Sequence, residues 1–167
     1  MSFLRAIFLL GDHHHDPECS DSSPSRYLEE AATDYHTALL DAVNKERVAR
    51  GISKLCKNRK LQSAAEIHSN DMAKRNFLSH GGSDGSTITS RISAAGFHWT
   101  ASAENVAAGQ SSVSSVMSSW MKSSPHRANL LNKQYTHFGC GYAYSSSSKY
   151  KRYWTQVFAS GTREVCG

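Results

Sequence analysis

The fold class is decided by the stretch FGCGYAYSSSSKYKRYWTQVFA, residues 138–159. Large residues alternate with small ones over 138–144, and aromatic and β-branched residues are frequent over 150–159, which is typical of β-strands. The serines at 145–148 separate the two segments and predict a turn. We therefore expect an antiparallel hairpin in the last third of the chain.

The sequence before this hairpin is mostly helical. Apolar residues three and four positions apart predict one helix from about Tyr27 to a stop at Gly51 and another over about 60–76. Two more are expected, one after a Thr87 cap and one between a Ser111 or Ser112 cap and Pro125. Segment 97–109 is expected to be loop plus strand. Helices followed by strands imply an α+β fold with helices packed on a sheet.

The composition indicates one globular domain. The chain has 167 residues, 39% of them hydrophobic, and a formal net charge of +5. Its Lys and Arg residues are scattered, which argues against a nucleic-acid-binding tail and favours a solvated basic surface. No segment has the length of a transmembrane helix. We expect a leader and linker at residues 1–25 and the domain at residues 26–167.

The leader region has its own features. Met1–Leu10 resembles the start of a signal peptide, with one Arg followed by a short apolar run. The histidines at 13–15 form a tract that either binds metal weakly or belongs to a tag or processing region. Residues 16–25 are rich in Asp, Ser and Pro and are expected to be a linker.

Seven short motifs follow one another through the rest of the chain. They are Asn44-x-x-Arg47, Leu61-x-x-Ala64-Ala65-x-x-His68, Phe77-Leu78-Ser79-His80, Arg91-Ile92-x-x-Ala95-Gly96-Phe97, Ala103-Glu104-Asn105-Val106, Ser124-Pro125-His126-Arg127 and Gly139-Cys140-Gly141-Tyr142. In this order, over about residues 36–160, they resemble the CAP superfamily of cysteine-rich secretory, antigen 5 and pathogenesis-related proteins (the SCP/TAPS domain) in its shorter microbial form. The resemblance implies a three-layer α-β-α sandwich with a central antiparallel sheet.

The resemblance also implies a polar cleft. In the family two His and two Glu converge there, and the matching motifs here supply His80, Glu104 and His126. The second glutamate of the family falls at Ser123, so one carboxylate is missing. This departure weakens any acid–base role, because a serine hydroxyl is a poor proton carrier.

Two neutral imidazoles are a weak site for Zn²⁺ or another divalent metal. The candidate ligands are His80 and His126, with Glu104 either as a third ligand or as the acceptor that orients an imidazole. A hydrogen-bonded polar cluster without metal is the alternative. His68 lies on the apolar face of its helix and is expected to be a core residue.

No catalytic residue is assigned. The chain has no Gly-x-Ser-x-Gly nucleophile elbow, and the neighbours Ser79 and His80 are not expected to face each other. The motifs also lack the two carboxylates of a glycoside hydrolase. The sequence therefore favours a non-enzymatic protein, and a metal-dependent hydrolase is the weaker alternative.

The resemblance implies binding of a sterol or another small lipid by a secreted, extracellular protein. The family's sterol loop matches about residues 81–102, which contain Ile88, Ile92, Phe97 and Trp99. These residues either line a lipid pocket or cover the core. The alternative function is a secreted host-interaction, defence or virulence protein that binds a host or extracellular protein.

Four cysteines are present: Cys19, Cys56, Cys140 and Cys166. An even number without a Cys-x-x-Cys pair predicts two disulfides formed in an oxidising compartment. Three pairings are open, and buried free thiols are the alternative. We expect Cys56–Cys140 within the domain and Cys19–Cys166 joining the two ends.

Overall fold

The computed structural model describes residues 24–167, with side chains from Tyr35 onward. The leader, the histidine tract and Cys19 lie outside the described residues. The elements are α1 (Pro24–Val48), β1 (Cys56–Lys57), α2 (Arg59–Arg75), α3 (Ile88–Ala94), β2 (Trp99–Ala108), α4 (Val113–Lys122), α5 (Ser124–Leu130), β3 (His137–Tyr144) and β4 (Arg152–Gly161).

The predicted hairpin is confirmed and forms the centre of the sheet. Strands β3 and β4 are antiparallel, with Phe138 opposite Phe158. Strand β2 pairs antiparallel with β4, and β1 pairs parallel with β3, which gives the order β1-β3-β4-β2. The α+β class and the helix-covered sheet are therefore confirmed. Only the two-residue strand β1 makes the sheet mixed, and a strand so short leaves no periodic signal in the sequence.

Helix α2 packs directly against the backbone of β3. A Cβ at position 139 would lie 2.2 Å from the backbone nitrogen of Gln62, and one at position 141 would lie 2.4 Å from the carbonyl oxygen of Ala65. Only glycine fits at Gly139 and Gly141, because real Cβ atoms do not approach other heavy atoms so closely. The alternation of large and small residues along β3 therefore separates a helix-facing side from a core-facing side.

The other face of the sheet carries α1, α4 and α5. Buried residues of α1 and α4, including Leu39, Val43 and Trp120, share one apolar core with Phe138 and Phe158 of the hairpin. Side chains fill the space between helices and sheet on this face. The domain thus has the expected three layers, with the sheet in the middle.

The predicted helix caps are confirmed. Thr87 and Ser112 both form capping boxes, with Ser90 and Ser115 as their reciprocal partners. Pro125, expected to end a helix, instead lies in the first turn of α5, where its missing N–H removes no helical hydrogen bond. Helix α4 itself ends at Lys122.

Arg47 connects α1 to the chain around it. Its buried guanidinium donates hydrogen bonds to the backbone carbonyls of Ser53, Leu130, Asn132 and Tyr135, at 2.8–3.3 Å. These carbonyls belong to the segments after α1 and around the end of α5. The arginine of the first sequence motif therefore has a structural role: it holds the segment after α1 and the segment around the end of α5 together.

The predicted disulfide pairing is wrong. The structure joins Cys56 to Cys166, with their Cα atoms 5.5 Å apart, so neither Cys56–Cys140 nor Cys19–Cys166 forms. Cys56 lies opposite His137, and Cys140 is three residues further along β3, roughly 10 Å away at about 3.3 Å per residue. A disulfide requires Cα atoms within about 7 Å. Cys140 is instead a buried thiol, with its Sγ 3.2 Å from His36 Nδ1.

Candidate functional site

Four parts of the fold bring the polar cleft residues together beside the middle of β2. Glu104 is on β2, Arg91 is on α3, His80 is in the loop that follows α2, and His126 is on α5. The carboxylate of Glu104 contacts Arg91 and His80, whereas α5 reaches the backbone of Glu104 through Asn129, whose Nδ2 donates to the Glu104 carbonyl oxygen. The sequence predicted three of these residues and left Arg91 without a role.

Glu104 is the centre of the cluster. Its side chain is only 2% exposed, and its Oε2 accepts a hydrogen bond from Arg91 Nη2 at 2.8 Å. Its Oε1 lies 3.0 Å from Nδ1 of His80. Arg91 also donates to the carbonyl oxygen of His80 at 2.9 Å. The buried carboxylate therefore has a cationic partner and fixes the loop that carries His80.

The bond to Glu104 sets the tautomer of His80. A carboxylate accepts hydrogen bonds, so Nδ1 of His80 carries the proton and Nε2 is the nitrogen left to accept a proton or a metal. The hydrogen bond with Glu104 raises the pKa of His80 above its ordinary value of 6.5 and outweighs the effect of burial. The side chain of His80 is 61% exposed, so the free nitrogen is within reach of solvent.

His68 is buried, as predicted, and also supports the cluster. Its Nε2 donates to the carbonyl oxygen of Ser79 at 2.7 Å and lies 3.8 Å from Glu104 Oε1. Burial lowers the pKa of His68, which keeps the ring neutral. Among the described residues no partner contacts its Nδ1. His68 thereby holds the backbone immediately before His80.

His126 is half-buried on α5, and the side-chain amides of two asparagines attach this helix to β2. Asn105 Nδ2 donates to the carbonyl oxygen of His126 at 3.1 Å, and Asn129 Nδ2 donates to Asn105 Oδ1 at 2.9 Å. Burial and the nearby charge of His80 lower the pKa of His126 below 6.5. The two imidazoles therefore share one electrostatic environment but differ in their tendency to be protonated.

The geometry limits what the cleft offers to a metal. Both carboxylate oxygens of Glu104 are engaged by Arg91 and His80, so Glu104 acts as the acceptor that orients His80 rather than as a ligand. His80 Nε2 and the ring of His126 are the donors that remain. Ser123, at the junction of α4 and α5, provides no carboxylate. A divalent metal held here would have two protein ligands and be bound weakly.

A comparison with models of protein families identifies the family of this chain. The model of the CAP family, described as the cysteine-rich secretory protein family, matches residues 40–158, which is more than half of the chain. The chain belongs to the CAP family. The resemblance read from the seven motifs is therefore confirmed.

Bacterial proteins are similar to this CAP domain. YkwD of Bacillus subtilis strain 168 is 32% identical over 124 residues, which cover 74% of this chain and 46% of YkwD. An extracellular Bacillus anthracis protein containing an SCP domain has a solved structure with TM-score 0.72 and 26% identity; the match covers 82% of this chain and 43% of that one. An outer surface protein of Borrelia burgdorferi shares the fold, with TM-score 0.69, 17% identity and coverages of 75% and 92%.

The matches cover only part of the two Bacillus proteins. The chain spans less than half the length of YkwD and of the Bacillus anthracis protein. In the part of the chain that the structure describes, no helix combines the length and apolar character needed to cross a bilayer.

The predicted lipid loop of the CAP domain contributes most of its apolar residues to the core. Ile92 and Phe97 are buried among Leu61 and Val157, with Ile88 packed partly buried against them. Trp99 is 40% exposed, and its Nε1 donates to Ser93 Oγ. Ile92 and Phe97 therefore cover the core, and Trp99 together with Phe97 also lines a cavity of about 440 Å³ at the surface.

Sequence reasoning missed a groove between α1 and α4 of the CAP domain. Its volume is about 740 Å³, and its apolar wall is formed by Ala42, Val113, Met117 and Met121. The residues of α4 recur at helical spacing, a pattern that by itself indicates a core stripe. The sequence does not distinguish a stripe buried by the sheet from one that also borders an open groove.

Proposed function

We propose that this CAP domain is a secreted protein that binds a sterol or another small lipid in the groove between α1 and α4. The observation that carries the proposal is the groove itself, whose volume of about 740 Å³ falls within the range of about 300–1,000 Å³ usual for ligand sites. Two of its wall residues are Met117 and Met121, and methionine side chains adapt to ligands of irregular shape.

The rim of the groove suits a lipid with a polar head. Lys45 and Glu46 on α1 and Lys122 at the end of α4 border it. A ligand can therefore lay its apolar body on the methionines while its head group stays with the charged residues. This division into an apolar wall and a polar rim favours an amphipathic lipid over a fully apolar one.

We expect a change of wall polarity to weaken lipid binding. Met121→Glu places a charge against the apolar part of the ligand, and the affinity for a fluorescent sterol or fatty acid should fall by about tenfold or more, equivalent to about 1.4 kcal/mol. Met121→Leu keeps the apolar surface and serves as the matched control. Titration of the purified protein by fluorescence measures both variants.

The same titration shows whether the lipid binds in the groove between α1 and α4 or at the loop of residues 81–102. A loss with Trp99→Ala but not with Met121→Glu would move the lipid to the loop of residues 81–102, where Ile88 and Trp99 are accessible. Absence of saturable binding by the unmodified protein would remove the lipid function. It would favour the alternative, a secreted host-interaction, defence or virulence protein that binds a host or extracellular protein.

Export and binding without catalysis are part of this proposal. The Cys56–Cys166 disulfide fits an oxidising compartment, and residues 1–25 are proposed as the leader and linker of a domain at 26–167. The Ser79 hydroxyl accepts from the N–H of Gly81, and among the described residues no hydrogen bond joins Ser79 to His80, which supports binding without catalysis. A metal-dependent hydrolase remains the third candidate, and hydrolysis abolished by chelation would support it.

A second proposed property is weak binding of Zn²⁺ or another divalent metal by His80 and His126. The observation that favours it is the Nδ1 bond of His80 to Glu104, because metal-binding histidines usually donate their other N–H to an acceptor such as a carboxylate. Exposure of His80 gives an ion access to Nε2.

The titration of these two histidines tests the site. In chelator-treated protein, NMR should show His80 titrating above pH 6.5 and His126 below it, as the pKa directions require. At pH 7.5, Zn²⁺ should shift both resonances but not that of His98, the exposed control. Because a metal binds neutral imidazole, acidification through the pKa of His80 should release it. Unchanged His80 and His126 resonances at millimolar Zn²⁺ would contradict the site.

A further inference from the structure

A buried histidine lies beside the disulfide at the other edge of the sheet. The sulfurs of Cys56 and Cys166 and a ring nitrogen of His137 are all within 4.8 Å of one another. The two sulfurs are joined as a disulfide. We propose that reduction of this disulfide creates a site in which the two thiolates and His137 bind Zn²⁺, so that a metal replaces the covalent link.

The fold places Cys56 beside His137. In the parallel pairing of β1 and β3 these two residues are opposite each other. His137 is more than nine-tenths buried, and its ring packs edge-on against Phe97 with centroids 5.7 Å apart. Its Nδ1 is 2.8 Å from the hydroxyl oxygen of Thr136. The Thr136 contact engages Nδ1, and metal-binding histidines commonly have one ring nitrogen held by such a neighbour.

The segment before Cys166 is held in place without the disulfide. The carboxylate of Glu164 is 1% exposed and accepts from Lys60 Nζ at 2.9 Å and from the backbone N–H of His98 at 2.8 Å. Asn58 Nδ2 donates to the carbonyl oxygen of Val165 at 3.0 Å. These contacts attach the residues just before Cys166 to the first turn of α2, to its N-cap Asn58 and to the residue before β2.

The residue after Cys166 is held as well. The backbone N–H of Gly167 donates to the carbonyl oxygen of Lys57 at 2.8 Å, and the carbonyl oxygen of Gly167 accepts from the N–H of Arg59 at 3.1 Å. Cys166 is therefore bonded to the domain on both sides by contacts that reduction leaves intact. Its thiol stays beside Cys56 when the S–S bond is broken.

The redox and binding steps balance with a dithiol as the reductant. The dithiol gives two electrons and two protons to the Cys56–Cys166 bond, which becomes two thiols, and the dithiol is oxidised to its own disulfide. Each thiol then loses its proton to solvent as its sulfur bonds to Zn²⁺. The two thiolate charges neutralise the charge of the metal, and water fills the fourth position.

The spacing of the donors suits this metal. Zn–S bonds of about 2.3 Å and Zn–N bonds of about 2.0–2.1 Å in a tetrahedron put the ligand atoms about 3.3–3.8 Å apart. Breaking the S–S bond lets the two sulfurs separate to this distance within the present cluster. Two thiolates and one imidazole favour Zn²⁺ over Mg²⁺ or Ca²⁺, which prefer oxygen ligands.

Cobalt is the probe for the first experiment, because thiolate-bound Co²⁺ gives a charge-transfer absorption that histidine-bound Co²⁺ lacks. The full chain carrying Cys19→Ser is reduced with a dithiol, freed of the reductant without oxygen and titrated with Co²⁺. We expect the absorption to saturate at one equivalent per chain in the reduced protein and to be absent in the oxidised protein. Zn²⁺ should abolish the band by displacement.

Variants assign the ligands. Cys166→Ser, at an exposed position, should remove the absorption, and His137→Gln should weaken Co²⁺ binding by about tenfold or more. A variant with His80→Ala and His126→Ala should keep the band, which separates this site from the cleft. Zn²⁺ should raise the Tm of the reduced parent protein more than that of Cys166→Ser, in which the cleft site of His80 and His126 is still present. No band in the reduced protein, or a band that persists in Cys166→Ser, would overturn the proposal.

Discussion

Glu104→Ala should lower the free energy of unfolding by about 3–5 kcal/mol, the usual cost of removing one partner from a buried ion pair. The side chains of Glu104 and Arg91 are 2% and 5% exposed, so the guanidinium left behind keeps its charge in a site that water barely reaches. The bond that fixes His80 is lost at the same time. Urea denaturation followed by circular dichroism measures the change.

A double variant shows whether the stability is lost because the ion pair is broken or because side-chain packing is lost. Glu104→Leu combined with Arg91→Met removes both charges and keeps apolar volume, and we expect it to recover much of the stability lost by Glu104→Ala. Both proteins should lose the raised pKa of His80, because the acceptor is gone. A loss below about 1 kcal/mol for Glu104→Ala would show that Arg91 is adequately solvated without its partner.

Gly141→Ala should be at least as damaging and should leave little folded protein. The added Cβ would lie 2.4 Å from the carbonyl oxygen of Ala65 and 2.5 Å from the nitrogen of Glu66. Both atoms belong to the backbone of α2, so no side-chain rotation relieves the contact, and α2 must separate from β3. Overpacking commonly costs about 1–3 kcal/mol, and a rigid backbone contact should exceed that range.

Gly81→Ala is the matched control. A Cβ there would meet only Ser79 Oγ at an ordinary 3.7 Å, so the same chemical change should alter stability by less than about 1 kcal/mol. Thermal unfolding of the two variants and the parent protein provides the comparison. A Gly141→Ala protein with a Tm equal to that of Gly81→Ala would mean that α2 and β3 are not in backbone contact.

Local patterns in the sequence predicted most of the fold. The hairpin follows from alternation over 138–159, and the caps Thr87 and Ser112 follow from side chains suited to bond the first turn. These signals arise from residues within a few positions of one another. The three-layer arrangement came from the resemblance to CAP domains, which the family comparison then confirmed.

Features that depend on distant residues were predicted less well. The disulfide pairing was wrong because the parallel contact of β1 with β3 places Cys56 opposite His137 rather than Cys140, and the C-terminal segment brings Cys166 to Cys56. The strand β1 is only two residues long, so its pairing left no signal in the sequence. Arg91 has no recognisable signal of its own, since its carboxylate partner lies thirteen positions away on another element. The motifs predicted a cluster of His80, Glu104 and His126; Glu104 contacts His80 directly, His126 lies on α5 beside β2, and the roles of all three remain proposals for the experiments above.

The glycines of β3 give the two faces of the sheet different mechanical properties. At Gly139 and Gly141 the backbone of α2 rests on the backbone of β3, so no intervening layer of side chains can repack. On the opposite face side chains such as Met117, Trp120 and Phe138 fill the space below the helices, and side chains have other rotamers where backbone atoms have none. We therefore expect α2 and the hairpin to stay fixed relative to each other, and any widening that admits a guest between α1 and α4 to take place on the opposite face.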